Sequence, residues 1–186
     1  MPDERRTRRT DPERRERIIE ASLTLLAEAG VAGTSHRKVA ALADVPLGSM
    51  TYHFEGMDEL LREAFTRFAG TVAEQFEARL GAARNLEEAK AAVTTIITED
   101  LFGNPRDLVL THELYTLAAR QPRFRDITNR WMARSRRALE RHFDPQTAQL
   151  LDALIEGLTI HRALEQEPER LSRASVADAV ERIAGT

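Results

Sequence analysis

TSHRKVAALADVPLGSMTYHF, residues 34–54, contains two short helical segments, Ser35 to Ala43 and Leu47 to His53, separated only by Asp44, Val45 and Pro46. So short a separation allows nothing but a tight corner. Val39, Ala40 and Ala43 on the first segment, Val45 in the corner, and Met50 and Phe54 beyond it form one apolar set that can pack on a preceding helix. The small alanines permit close approach. Leu47, Gly48, Ser49, Thr51, Tyr52 and His53 are then left facing out as a mixed polar surface, which is the pattern of a helix-turn-helix. An ordinary pair of packed helices would leave exposed Tyr52 and His53 without a purpose.

Outward from this stretch the chain reads as helix throughout. Thr10 and Glu13 have capping-box spacing, and apolar positions recur at helical period from Ile18 to Ala29, so a helix is expected over about 11–29 with Gly30 as its stop. After the corner, a 3- or 4-residue apolar spacing from Met57 to Leu80 predicts one long helix. Asn85 opens a helix to about Leu101. Asn104 with Pro105 and Asp144 with Pro145 are N-caps followed by proline at the first helical position, opening helices to about Arg120 and Gln166. Between them Pro122 breaks the pattern before a helix over about 123–143, and Ser175 starts a last short one.

The 186 residues contain 7 prolines and 9 glycines, 42% apolar and 31% charged side chains, a globular balance that excludes wholesale disorder. The expectation is an all-α chain of about nine helices: an N-terminal three-helix domain with the helix-turn-helix, then a C-terminal helical ligand-binding and dimerisation domain. With no cysteine, a disulfide framework and thiolate chemistry are excluded. The charged amino terminus lacks the apolar stretch of a signal peptide, and no run approaches the ~20 apolar residues of a membrane span, so a soluble, cytoplasmic protein without membrane partners is expected.

The arrangement T-x-x-x-x-V-A-x-x-A-x-V-x-x-G-S-M-x-Y-H-F, followed by D-E-L-L at residues 58–61, resembles the DNA-binding domain of TetR-type regulators over about residues 12–65. The resemblance implies that Ser35, His36 and Arg37 begin the positioning helix, with Ser35 or His36 at phosphate and Arg37 able to reach a base edge. It places Leu47, Gly48, Ser49 and Thr51 toward the groove, and Tyr52 and His53 on the phosphate backbone. Arginine suits guanine because its fork donates two parallel hydrogen bonds. Three positions depart from the family pattern: Asp44 replaces a usual glycine, Thr51 a frequent aromatic residue and Met57 a usual lysine. The last removes a phosphate contact, for which Arg5, Arg6, Arg8 and Arg9 in an amino-terminal arm could compensate. The implied organisation is a flexible basic arm (1–10), a DNA-binding domain (11–56) and an effector-binding and dimerisation domain (57–186).

In the second domain, His112, Tyr115 and Trp131 are candidate lining of a ligand pocket, with apolar wall and few polar groups. The helix from Leu150 to Leu164 has apolar positions over roughly 220° of its wheel, leaving Asp152, Glu156 and Thr159 as a polar strip. One packing partner cannot cover that arc, so a second buried face carrying Ala153, Gly157, Ile160 and Leu164 is expected to pair with its copy in a homodimer. His161, inside the arc, is either a fourth pocket residue or a satisfied core or interface histidine. Arg130, Arg134, Arg137 and Arg141 share a separate stripe that reads as a solvated face rather than an anion site. No phosphate loop, nucleophile elbow or metal-ligand spacing occurs, so an enzyme, a metal and a cofactor are not expected.

The formal charge of −3 argues at first against a nucleic-acid partner, yet it is an average. Residues 1–54 carry nine basic and eight acidic groups, whereas 55–119 carry six and twelve. An acidic second lobe would be repelled by phosphate, which helps to set the end that meets DNA. The expected function is a ligand-responsive, homodimeric transcriptional regulator, a repressor that binds a near-palindromic double-stranded operator and is released by a small-molecule effector. The alternative is a helical small-molecule-binding or interaction module without DNA binding.

Overall fold

The computed structural model describes residues 13–101, 103–164 and 172–185; the basic arm and Thr10 lie outside them. Among the described residues there are nine α-helices and no strand. The chain divides into two compact units, residues 1–67 and 68–186.

The first unit contains α1 (Arg14–Gly33), α2 (His36–Leu42), α3 (Gly48–His53) and the beginning of α4 (Met57–Gly81). Its core is the apolar set read from the corner: Val39, Ala40, Ala43, Met50 and Phe54 are all buried, together with Ile18, Ile19 and Leu26 of α1. Buried Ser22 donates its hydroxyl to the Ile18 carbonyl at 2.7 Å, which satisfies it. The regular helix ends where expected. Gly30 has φ 67° and ψ 179°, a region that only glycine occupies without strain, and the chain restarts at Ser35, whose Oγ accepts from the Lys38 amide.

The corner is a Schellman-type closure. The Val45 amide donates to the Ala40 carbonyl at 3.0 Å and the Asp44 amide to the Ala41 carbonyl at 3.3 Å, with Asp44 in the left-handed region at φ 51°. A side chain there is strained, although aspartate tolerates it better than most. Asp44→Gly is therefore expected to raise the stability of the first unit by about 0.5–1 kcal/mol, net of glycine's greater unfolded entropy. A rise in urea midpoint at unchanged slope is the expected reading; a fall would show that the Asp44 side chain stabilises the turn.

The second unit holds the rest of α4, then α5 (Leu86–Thr95), a π-helical segment (Ile96–Leu101), α6 (Pro105–Arg120), a 3-10 turn (Pro122–Phe124), α7 (Arg125–Leu139), α8 (Pro145–Leu164) and α9 (Arg173–Ala184). The caps are side-chain oxygens at the foreseen positions. Asn85 accepts from the Glu88 amide, Asn104 from Asp107, and Asp144 from Gln146 and Thr147. Phe76, Leu80, Val93, Ile97, Leu139, Phe143, Leu151 and Val176 belong to one buried cluster.

Three boundaries differ from expectation. The helix from Asn85 changes to π geometry at Ile96, which leaves both Ile96 and Ile97 buried. The helix expected to reach Phe143 stops at Leu139, and the following turn lets His142 Nε2 donate to the Leu80 carbonyl at 2.8 Å while Phe143 enters the core. The last helix is capped by Ser172, whose Oγ accepts from the Ser175 amide, so Ser175 sits in the first turn rather than before it. Among the described residues no helix is long and apolar enough to cross a membrane.

Candidate nucleic-acid interface and effector site

At ~100° per residue, the six residues of α3 divide into two arcs. Ser49, Met50, His53 and the C-cap Phe54 point toward the core, and Leu47, Gly48, Thr51 and Tyr52 point away. Tyr52 is 82% and Leu47 52% exposed, and Gly48 and Thr51 are also exposed. Ser49 and His53 depart from the expected outer surface: Ser49 is only 8% exposed and His53 half-buried, because both share the Met50 side of the helix. A Cβ at Gly48 would meet nothing within 4 Å. Nothing inside the chain demands glycine here.

On α2, Ser35 and Arg37 are exposed and His36 is half-buried. The His36 Nε2 is buried without a hydrogen-bond partner, so this nitrogen points inward. His53 is half-buried and stacks edge-on with Tyr52, ring centres 4.9 Å apart. Burial first, then the Arg14 and Arg15 guanidinium groups, hold its pKa below the usual histidine value. At neutral pH His53 therefore offers a hydrogen bond and not a charge.

In the second unit Tyr115 and Trp131 meet at 5.9 Å between ring centres, and Phe68 stands edge-on to Trp131 at 5.8 Å. The Tyr115 hydroxyl donates to Glu156 Oε1 at 2.5 Å. Burial raises the pKa of Glu156, Asp152 and the Tyr115 phenol; the Glu156 charge adds to the rise at Tyr115, and Asp152 adds to the rise at Glu156. His112 is half-buried, with Nδ1 2.7 Å from the Leu108 carbonyl and Nε2 buried without a partner. His161 does not join this group: it is exposed.

The reason lies in how α8 is turned. Its polar strip faces inward, with Thr159 buried and donating to the Ile155 carbonyl, and Glu156 under Tyr115. Its outer face presents Leu150 (51% exposed), Ala153, Gly157, Ile160 (44%) and Leu164 (78%). Glu156 and Asp152 are the site residues that sequence reasoning missed. Their signal was that Tyr115 needs a polar partner wherever its ring is buried. Two of the four arginines in the stripe are held in ion pairs, Arg134 with Glu77 through two 2.8 Å bonds and Arg130 with Asp126. Among the described residues no group of His, Asp and Glu could hold a metal ion.

Between α4, the π segment and α6 lies a recess with Val72, Phe76 and Ile96 as its apolar wall and Gln75, Thr111, Asp100 and Asp107 as its polar groups. It adjoins an open cleft of about 450 Å³ lined by Gln75, Ala78, Arg79, Asp100, Asn104 and Asp107. Arg79 forks onto Asp100 with bonds of 2.8 and 2.6 Å across this cleft.

Residues 18–64 match the family model of bacterial regulatory proteins of the tetR family, and residues 84–186 match that of the tetracyclin repressor-like C-terminal domain. No curated protein shows significant similarity to the chain. Among solved structures, one described as a transcriptional regulator from Streptomyces coelicolor A3(2) is 56% identical over 94% of this chain and 100% of its own, with a TM-score of 0.87. The multidrug binding protein EbrR, complexed with imidazole, is 34% identical over 94% of this chain and 91% of its own at a TM-score of 0.79. A TetR-family member from Streptomyces coelicolor A3 is 33% identical over 93% and 99%, also at 0.79. Such regulators bind DNA operators, typically as dimers with small-molecule effectors, and are generally not enzymes. The helix-turn-helix of the first unit, the helical second unit and these matches agree: the chain belongs to the TetR family of bacterial transcriptional regulators.

Proposed function

We propose that the protein is a cytoplasmic homodimeric repressor whose two α3 helices enter successive major grooves of a near-palindromic operator. The observation that carries this reading is the outer arc of α3, where Leu47, Gly48, Thr51 and Tyr52 stand free of the core. Arg37 reads a base edge, and Ser35, Tyr52 and His53 hold phosphate. The buried position of Ser49 supports a role in seating α3 rather than in base contact.

The outer face of α8 is the dimer seam. Ala153 and Gly157 let the two copies approach, and Ile160 and Leu164 close the seam. A Cβ at Gly157 would meet nothing within 4 Å in its own chain, which fits a requirement imposed by a second copy. An effector held in the second unit, near Tyr115, Trp131, His112 and Glu156, acts through α4, which runs through both units. The likeness to a multidrug binding protein supports a small molecule in that role. It must bind the operator-competent and released states unequally, or the equilibrium does not move.

The test is operator binding in a salt series. A fragment from the gene's upstream region should bind more tightly than random DNA, with log affinity falling linearly in log salt. Arg37→Ala should weaken the specific fragment by about 1–3 kcal/mol while barely changing random DNA. Equal binding of both fragments by the unaltered protein would favour the helical binding module without DNA recognition.

A further inference from the structure

The outer arc of α3 is poor in hydrogen-bond donors. Leu47 and Gly48 have no polar side-chain atom, and Thr51 Oγ1 donates its proton to the Gly48 carbonyl at 3.2 Å. The Ser49 hydroxyl sits on a residue only 8% exposed. Tyr52 carries its hydroxyl at the far end of its ring and, in the proposed complex, spends it on phosphate. On α2, Lys38 Nζ donates to the Gly33 carbonyl at 2.7 Å, whereas Arg37 is exposed. Donors for a base edge therefore come from α2, and what α3 brings is apolar.

Leu47 is the largest part of that apolar surface. It is the N-cap of α3 with helical angles, φ −54° and ψ −35°, so Thr51, four residues on, lies beside it on the same face. The residue is 52% exposed. Its backbone is nevertheless fixed from behind, because its carbonyl accepts the Met50 amide at 3.0 Å and Met50 is fully buried.

The edges of the bases in the major groove differ in what a leucine can meet. Guanine presents two acceptors, adenine an acceptor and a donor, cytosine a donor, and thymine an acceptor beside its C5-methyl group. A polar edge atom covered by leucine loses water and gains no partner, which costs free energy. The thymine methyl has no such bond to lose, and covering it removes apolar surface from both sides.

We propose that Leu47 is the specificity-determining residue of α3 and that it reads thymine through the C5-methyl group in the major groove. The proposal rests on the reading of α3 as the operator-reading helix and names the base chemistry that it selects.

The test compares the fragment from the gene's upstream region prepared with thymine and the same fragment prepared with uracil throughout, at one fixed salt concentration. Uracil keeps the base pairing and lacks only the methyl group. Random DNA is prepared both ways. Covering one methyl is worth about fourfold in affinity, so a dimer that loses one in each half-site should bind the uracil fragment about fifteenfold more weakly. The two forms of random DNA should bind alike. Leu47→Ala should lose most of the gap by weakening on the thymine fragment, while its affinity for the uracil fragment stays close to that of the unaltered protein. Leu47→Asn, which keeps the size and replaces the methyl groups by an amide, should remove the gap as well. Both variants should keep the urea midpoint, because Leu47 lies outside the core. Equal binding of the thymine and uracil fragments, both tighter than random DNA, would overturn the thymine reading and leave the operator reading standing. A gap that persists undiminished in both variants would also overturn it, since the methyl would then act through the shape of the duplex. An upstream fragment that binds no better than random DNA removes the operator reading, and this proposal with it.

Discussion

The double variant Ile160→Glu, Leu164→Glu is expected to sediment as a monomer of 21.0 kDa and to lose operator affinity by about 10²–10⁴-fold, the factor by which a linked second contact raises avidity. The argument turns on the two apolar faces of α8. Its inner face buries Ala148, Leu151, Ile155 and Thr159, and its outer face holds Leu150, Ala153, Gly157, Ile160 and Leu164. A helix that covers one apolar face with its own core and leaves isoleucine and leucine wet on the other presents a patch for a partner. In the proposed homodimer a second copy covers it, the same patch of each copy packing on the other. Glutamates at those points would bring like charges together across the seam. Both positions are exposed in the protomer, so the variant should keep its helical content and its urea midpoint at low concentration. A variant that remains dimeric would move the seam elsewhere.

The second large effect is expected from Phe54→Ala. Phe54 is the C-cap of α3, 2% exposed, and the Arg15 guanidinium lies 5.3 Å from its ring centre. Truncating a buried phenylalanine costs about 3–5 kcal/mol, a large part of the 5–15 kcal/mol typical of a folded domain. The loss falls on the unit that carries the recognition helix. Urea unfolding should show an early transition from the first unit alone, and operator binding should weaken even where circular dichroism reports most helix intact. A change under about 1 kcal/mol would mean that Phe54 does not hold α3 to α1, because surface substitutions have effects of that size.

Much of this was readable from local chemistry. Asn104 with Pro105 and Asp144 with Pro145 marked helix starts because a cap is decided by the three or four residues that follow it. Gly30 marked a stop for a similarly local reason, since its φ and ψ suit no other residue. Asp44, Val45 and Pro46 left so little chain that the corner was forced. What could not be read was direction. The wheel of α8 gives the width of its apolar arc but not which side meets the core, so it cannot tell that Glu156 turns toward Tyr115 while His161 is exposed. A six-residue helix has too few positions to fix its rotation from sequence, so Ser49, expected on the outer surface, turns inward. The π segment at Ile96 and the turn after Leu139 answer to packing against distant residues, Leu80 among them, and no local pattern announces them.

Hydroxyl-radical footprinting of the operator by the full-length protein tests the homodimeric reading most directly. Two equal protected patches should lie on one face of the duplex, symmetric about the operator's centre, with half-sites one helical turn or a multiple of it apart, each turn about 34–36 Å. A single patch, or even protection that is the same on random DNA, would mean that two α3 helices do not read the site together.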